Sequence, residues 1–420
     1  MGAVGFGVLG VGACQVLSGL SGYQETGGSG GTGVSASSSA GTGGRGIGGD
    51  GTTTGAGGAD AGETSTTTTG AGGADAGCGS PTNSANCGWC GHACGAGSTC
   101  VASSTWDTSS CTPLPVVQMA SSARPSAIAV SGGYLYESTP TGGSPSKVGS
   151  LIQRALSGTP GPTTINTGNI VGFGLVFNGG TVSSIDWATN STAGAAASAS
   201  LQSVVVSAAP KTTTLESVFD GYGSLAVAGP RLFFTASMGG QWGVYGQDTG
   251  SPGYVDLGTN SSTTVIVADA TNAYWFDGTT IATATSTMGA TESELAPPIG
   301  SNANLAVDPL STATTGFLYW TTSNGIESWA KSGSGQPIGL QPPPASGAFV
   351  GLVSDGTYIY WLTDGDPSCG SAQGYLWRAL NHPLAAAQRM TTAVSCPQNL
   401  VIGGTSLYFT TSTAILSVPM

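Results

Sequence analysis

The chain has 420 residues, of which 7% are charged and 71 are glycine, against roughly 25% charged in ordinary soluble domains, so turns, loops and strands are favoured over helices. A net charge of −12 and a pI near 4.2 leave no basic stripe for phosphates and no polybasic segment for an anionic leaflet, which excludes nucleic acid as a partner. Nine cysteines beside two histidines fit disulfides better than metal sites and imply an oxidising compartment.

Residues 1–14 are apolar and glycine-rich and end in Val11-Gly12-Ala13-Cys14. This resembles the lipobox of bacterial lipoproteins, which implies lipid on Cys14 and membrane attachment through that anchor alone. The stretch lacks Lys or Arg before its apolar run, a departure from signal peptides, and a plain secretory signal is the alternative. No other apolar run approaches the roughly 20 residues of a membrane span. The expected location is the outer membrane or cell surface, otherwise the secreted fraction.

Residues 15–77 form the linker, from about Tyr23 almost wholly Gly, Ser, Thr and Ala, and Thr-Gly-Ala-Gly-Gly-Ala-Asp-Ala-Gly occurs twice, ending at Gly62 and at Gly77. Such a composition cannot bury a core, so a disordered tether is expected, its span growing as about 5 to 6 Å times the square root of its length.

Residues 78–112 hold six cysteines, Cys78, Cys87, Cys90, Cys94, Cys100 and Cys111. With little apolar material, this segment needs covalent staples, and three bridges are expected; a zinc site from Cys87, Cys90, His92 and Cys94 is the rival reading. The Cys-Gly-x-Cys-Gly-x-x-Cys run from Cys87 to Cys94 resembles small cysteine-rich modules, including the plant stigma-specific family. Together with the anchor and the tether it resembles surface lipoproteins of myxobacteria.

Residues 113–420 repeat one unit seven times: an apolar strand, a Gly/Asp/Asn turn, then a strand with an aromatic pair or its equivalent. Ile128-Ala129-Val130 with Tyr134-Leu135-Tyr136 is the first copy, and Leu175-Val176-Phe177 with Ile185-Asp186-Trp187 is the second. Leu305-Ala306-Val307 with Leu318-Tyr319-Trp320 is among the clearest. A period of about 40 to 50 residues is that of a four-stranded propeller blade. The expectation is therefore an all-β chain: a seven-bladed β-propeller, with six as the alternative, behind a disordered linker and a small disulfide-rich module. Leu318-Tyr319-Trp320-Thr321-Thr322 and Tyr360-Trp361-Leu362-Thr363-Asp364 resemble the Tyr-Trp-Thr-Asp class of propellers, which usually has six blades. The last copy lacks an outer strand, and Pro115-Val116-Val117-Gln118-Met119 is expected to supply it and close the ring.

Binding chemistry is sparse. Where outer strands cross to the next inner strand, the polar residues are Arg124, Asp220, Asn260, Asn302, Asn304 and Asn399. One carboxylate among amides makes a poor metal site, so no cofactor is expected. A weak Ca²⁺ site using Asp220 and Asn304 is the exception considered. Asp269, Asp308 and Asp355 recur at one turn and read as caps of that turn. His382 sits in a third-to-fourth strand loop, and no Gly-x-Ser-x-Gly elbow accompanies it. Trp242, Trp329 and Trp377 lie on third strands and read as packing between blades. The functional expectation is a non-catalytic surface platform for a protein or glycan, the alternative being a metal-assisted, lactonase-like hydrolase or lyase. If Cys14 carries lipid, eight cysteines remain, and Cys369 and Cys396, which the repeat frame places on one face of the disk, are expected to pair.

Overall fold

The computed structural model describes residue 94, residues 99–101 and 110–118, and most of 125–420. Cys14, the linker, Cys78, Cys87, Cys90, His92, Arg124, Asn260, Asn302, Cys369 and His382 lie outside the described residues.

Among the described residues every regular element is a strand, and seven antiparallel sheets follow one another along the chain. Their inner strands are Ala127–Ser131, Ile170–Asn178, Gly221–Ala228, Ile266–Ala268, Leu305–Val307, Ala348–Ser354 and Gln398–Gly403. Each adjoins the next in this order, and the seventh adjoins the first, so the sheets are the seven blades of a closed propeller rather than six.

The fourth blade shows how sequence makes the unit. Ile266–Ala268, Asn272–Phe276, Ile281–Thr285 and Ser293–Ala296 pair in order, as the repeat predicts. Small and branched residues suit the crowded axis, while the second strand carries the large rings. Period-two alternation then sends neighbouring side chains to opposite seams. In the fifth blade Leu318 and Trp320 pack against the fourth blade, and Tyr319 against the sixth. Trp187, Trp275, Trp320 and Trp361, one from each of four second strands, are wholly buried this way.

Closure comes from the N-terminal side. Leu114–Gln118 is the outer strand of the seventh blade, with Leu114 opposite Ser417, Pro115 opposite Leu416 and Val117 opposite Ile415. No blade is left with an open inner neighbour, which removes the exposed edges that a sheet must otherwise protect.

The cysteine-rich segment is fastened to the sixth blade. The outer strand of that blade is split into Gln388–Arg389 and Val394–Ser395, both paired with Gln373–Leu380. Between the two pieces the Thr391 hydroxyl accepts the Leu376 N–H, standing in for a backbone carbonyl. The chain there turns its own backbone outward, and Cys111 pairs with Thr391 in parallel: the Cys111 N–H donates to the Met390 carbonyl, and the Thr392 N–H to the Cys111 carbonyl. Cys111 is also bonded to Cys94, with Cα atoms 5.4 Å apart, and Cys100–Val101 pairs with Ser110–Cys111. Cys100 and Cys396 are disulfide-bonded as well.

Candidate binding face

A propeller has two faces, and here they differ in chemistry. On one, the first-to-second strand turns hold the recurring aspartates. Asp269 accepts from the backbone N–H of Thr271 and Asn272 and from the Tyr274 hydroxyl, and it forms a buried ion pair with Lys331 of the next blade. Asp355 repeats the pattern with Thr357, Tyr358 and Tyr360. Asp308 accepts from Phe317 N–H and from the Ser354 hydroxyl of the next blade. These carboxylates are caps and seam clamps, as the turn chemistry predicts. Burial pushes the Asp269 carboxyl up, but Lys331 and the backbone donors prevail and hold it below the usual carboxylate range. Burial and the adjacent aspartates push the Tyr274, Tyr319 and Tyr360 phenols far up, so all three stay neutral donors.

The opposite face carries the second-to-third strand turns and the crossings between blades. There Asp220 is exposed, and its carboxylate accepts the Gly240 N–H at 3.2 Å. That bond braces the hairpin turn Met238-Gly239-Gly240-Gln241, whose two glycines have φ of +61° and +79°, the left-handed pair that a type I′ turn requires. Trp242 follows the turn and is 37% exposed, whereas Trp329 and Trp377, mid-strand in their blades, are each 7% exposed. The reading of all three as inter-blade packing therefore holds for two and fails for Trp242, which pairs with Ser237 near the tip of its hairpin. Val218, at the crossing into this blade, and Met238, on the other side of the same hairpin, are 53% and 40% exposed. The Tyr254 hydroxyl meets the Met238 sulfur at 3.7 Å. Gly223 lies beneath the ring: a β-carbon there would come within 3.5 Å of Trp242 Cζ3 and clash with the Thr235 hydroxyl, which instead accepts the Ser224 N–H.

Asn304 and Asn399 serve as inter-blade ties on the same face. Asn304 Nδ2 donates to the Phe349 carbonyl at 2.9 Å, and Asn399 Nδ2 donates to the Pro125 carbonyl at 2.9 Å. Asp220 and Asn304 belong to the third and fifth blades, the first braced to its own hairpin and the second tied to the sixth blade, so the structure does not bring them together. Among the described residues no group of three or more His, Cys, Asp or Glu side chains converges.

A groove of about 360 Å³ opens at the rim of this face, between the cysteine-rich segment and the last two blades. Thr112, Pro115, Thr392, Ser395, Thr411 and Thr413 are among its walls, where no described residue has an ionisable side chain.

No protein-family model matches the chain, and no curated protein matches it in sequence. Solved structures do match in fold. A catalytically inactive virginiamycin B lyase from Staphylococcus aureus, with quinupristin, aligns over 74% of this chain and 98% of its own at a TM-score of 0.51 and 13% identity. An oligogalacturonate lyase from Vibrio parahaemolyticus covers 77% and 96%, with TM-score 0.52 and 9% identity. The β-propeller domain of the Trilobed protease from Pyrococcus furiosus, described as having an open velcro topology, covers 71% and 93%, with TM-score 0.52 and 8% identity. At such identities the likeness is one of fold, and the fold it shows is the β-propeller.

Proposed function

We propose that this is an exported, lipid-anchored surface protein whose propeller binds a protein or a glycan on the face that carries Trp242. One observation carries the reading: an exposed indole stands on a hairpin locked by Asp220 and its two glycines, with Met238 of that hairpin and Val218 at the crossing into the blade exposed as well. Trp and Met are enriched where proteins bind partners, and a rigid aromatic loses little entropy on contact. The opposite face has its aspartates committed to turns and seams, so recognition falls to the Trp242 side. The proposal requires no cofactor. The resemblance of 11–14 to a lipobox and the tether composition support display at a membrane surface through lipid on Cys14.

Capture from surface extracts and a glycan array, each run with the full chain and with Trp242→Ala, tests the binding. Retention of a partner by the parent and a tenfold or greater loss in the variant is the expected result. Equal binding by the two would move the site elsewhere. Intact mass from native membranes tests the anchor, which requires acyl mass on Cys14.

A further inference from the structure

Asp186 stands in the middle of the second strand of the second blade, Thr181–Thr189, opposite Gly174 on the inner strand and Ser203 on the third. Its neighbours Ile185 and Trp187 pack into the seam with the first blade. Asp186 therefore points the other way, with Ala188 and Leu201, into the seam with the third blade, where a β-carbon on Gly174 would meet Val227 at 2.8 Å. The residue is 0% exposed, and neither carboxyl oxygen makes a hydrogen bond of normal geometry.

Among the described residues no cation compensates it. The flanking strands Ile170–Asn178 and Ser200–Val205 have no ionisable side chain. From the third blade, Gly221–Ala228 offers only Tyr222, a phenol that burial keeps neutral. Arg231–Met238 offers only Arg231, which lies on the other seam, 5.6 Å over the Phe233 ring and directed at the Thr285 carbonyl. Tyr245, Tyr254, Glu216 and Asp256 around this core carry no positive charge. Burial accordingly pushes the Asp186 carboxyl up to about 6, with only the Ser203 hydroxyl across the strand opposing it.

We propose that the seam between the second and third blades is a proton-dependent latch, closed with Asp186 protonated and loosened when its carboxyl ionises. The sign follows from the direction of the shift. The folded value lies above the ordinary 3.8, so the stabilisation is complete below 3.8 and is lost as pH rises through about 6. The latch lies under the binding face. Phe219, between exposed Val218 and Asp220, packs in the same seam, with its ring 5.4 Å from Tyr222 and 4.6 Å from Tyr245. Opening the seam thus loosens Phe219 and, through the adjacent Asp220, the brace on the hairpin that carries Trp242.

Thermal melts of the full chain between pH 4 and pH 7.5 test this, with Asp186→Asn alongside. The parent should lose several degrees of Tm as pH rises through about 6, and Asp186→Asn should remain flat across that window. Hydrogen exchange on the parent at both ends of the range, corrected for the intrinsic effect of pH, supplies a readout that needs no variant. At high pH faster exchange should appear in Ile170–Asn178 and Gly221–Ala228, with Phe317–Thr322 unchanged. The same pH profile in parent and variant, or exchange rising equally in all blades, overturns the latch.

Discussion

Lys331 and Asp269, 62 residues apart, form an ion pair with both side chains fully buried in the seam between the fourth and fifth blades. The Lys331 ammonium also lies 5.3 Å from the centroid of the Tyr274 ring. Lys331 occupies the position just past the third strand, where its N–H donates to Gly316; Asn381 in the sixth blade and Leu156 in the first sit at the same place in their repeats. Leu156 packs onto the seventh blade and Asn381 bonds Tyr319 of the fifth, so one position of the repeat fastens each of these blades to its predecessor by whatever chemistry the residue allows.

Removing one partner of that pair leaves a buried charge uncompensated. Lys331→Met should destabilise the propeller by about 3 to 5 kcal/mol, and adding Asp269→Asn should restore part of the loss. Denaturant unfolding of the two variants against the parent measures both steps.

Acid should act on the Asp269 seam in the direction opposite to its effect on Asp186. Because the Asp269 carboxyl is held below its ordinary value, its contribution is complete above the ordinary carboxylate range and disappears as pH falls through the lowered folded value. Unfolding measured from pH 5 downward should show a steeper loss in the parent than in Asp269→Asn.

The closing strand makes a separable demand. A chain beginning at Pro113 lacks the cysteine-rich segment but keeps Leu114–Gln118, and it should melt close to the parent. One beginning after Gln118 exposes the edge of Ala414–Pro419 and should melt at least several degrees lower and self-associate. Calorimetry and size-exclusion chromatography read the two effects.

Cys396 is disulfide-bonded at the crossing from the sixth to the seventh blade. We infer that its partner is Cys369, which the sequence places between Tyr358–Asp364 and Gln373–Leu380, on the same face of the disk. Non-reducing peptide mapping should return the two cysteines in one linked species, and breaking the link should cost about 3 to 4 kcal/mol by loop entropy.

Much of this architecture is written in local pattern. Alternation and turn residues mark all four strands of the fourth blade, and the missing outer strand of the last copy points to 115–119 as its replacement. The aspartate caps are readable because Asx turns are made within a few residues. What joins blades is less legible. Nothing in the repeat distinguishes Lys331 as a clamp, since its equivalents are Asn381 and Leu156. Asp186 fills a slot next to an aromatic and reads as a variant of the pair, because burial on that face depends on Val227 and Leu232 of another blade. Trp242 lies on the third strand of its blade as Trp329 does of its own, and only its place near the hairpin tip, two strands from the axis, decides that it faces solvent.

The pairing of Leu114–Gln118 with Ala414–Pro419 also sets an order of assembly. The first strand of the propeller to be synthesised waits for a partner made about 300 residues later, so closing the ring joins its most distant strands and is the slow, long-range step of assembly. Blades one to six can stack as they emerge, but the waiting strand is an unpaired edge until the seventh is complete.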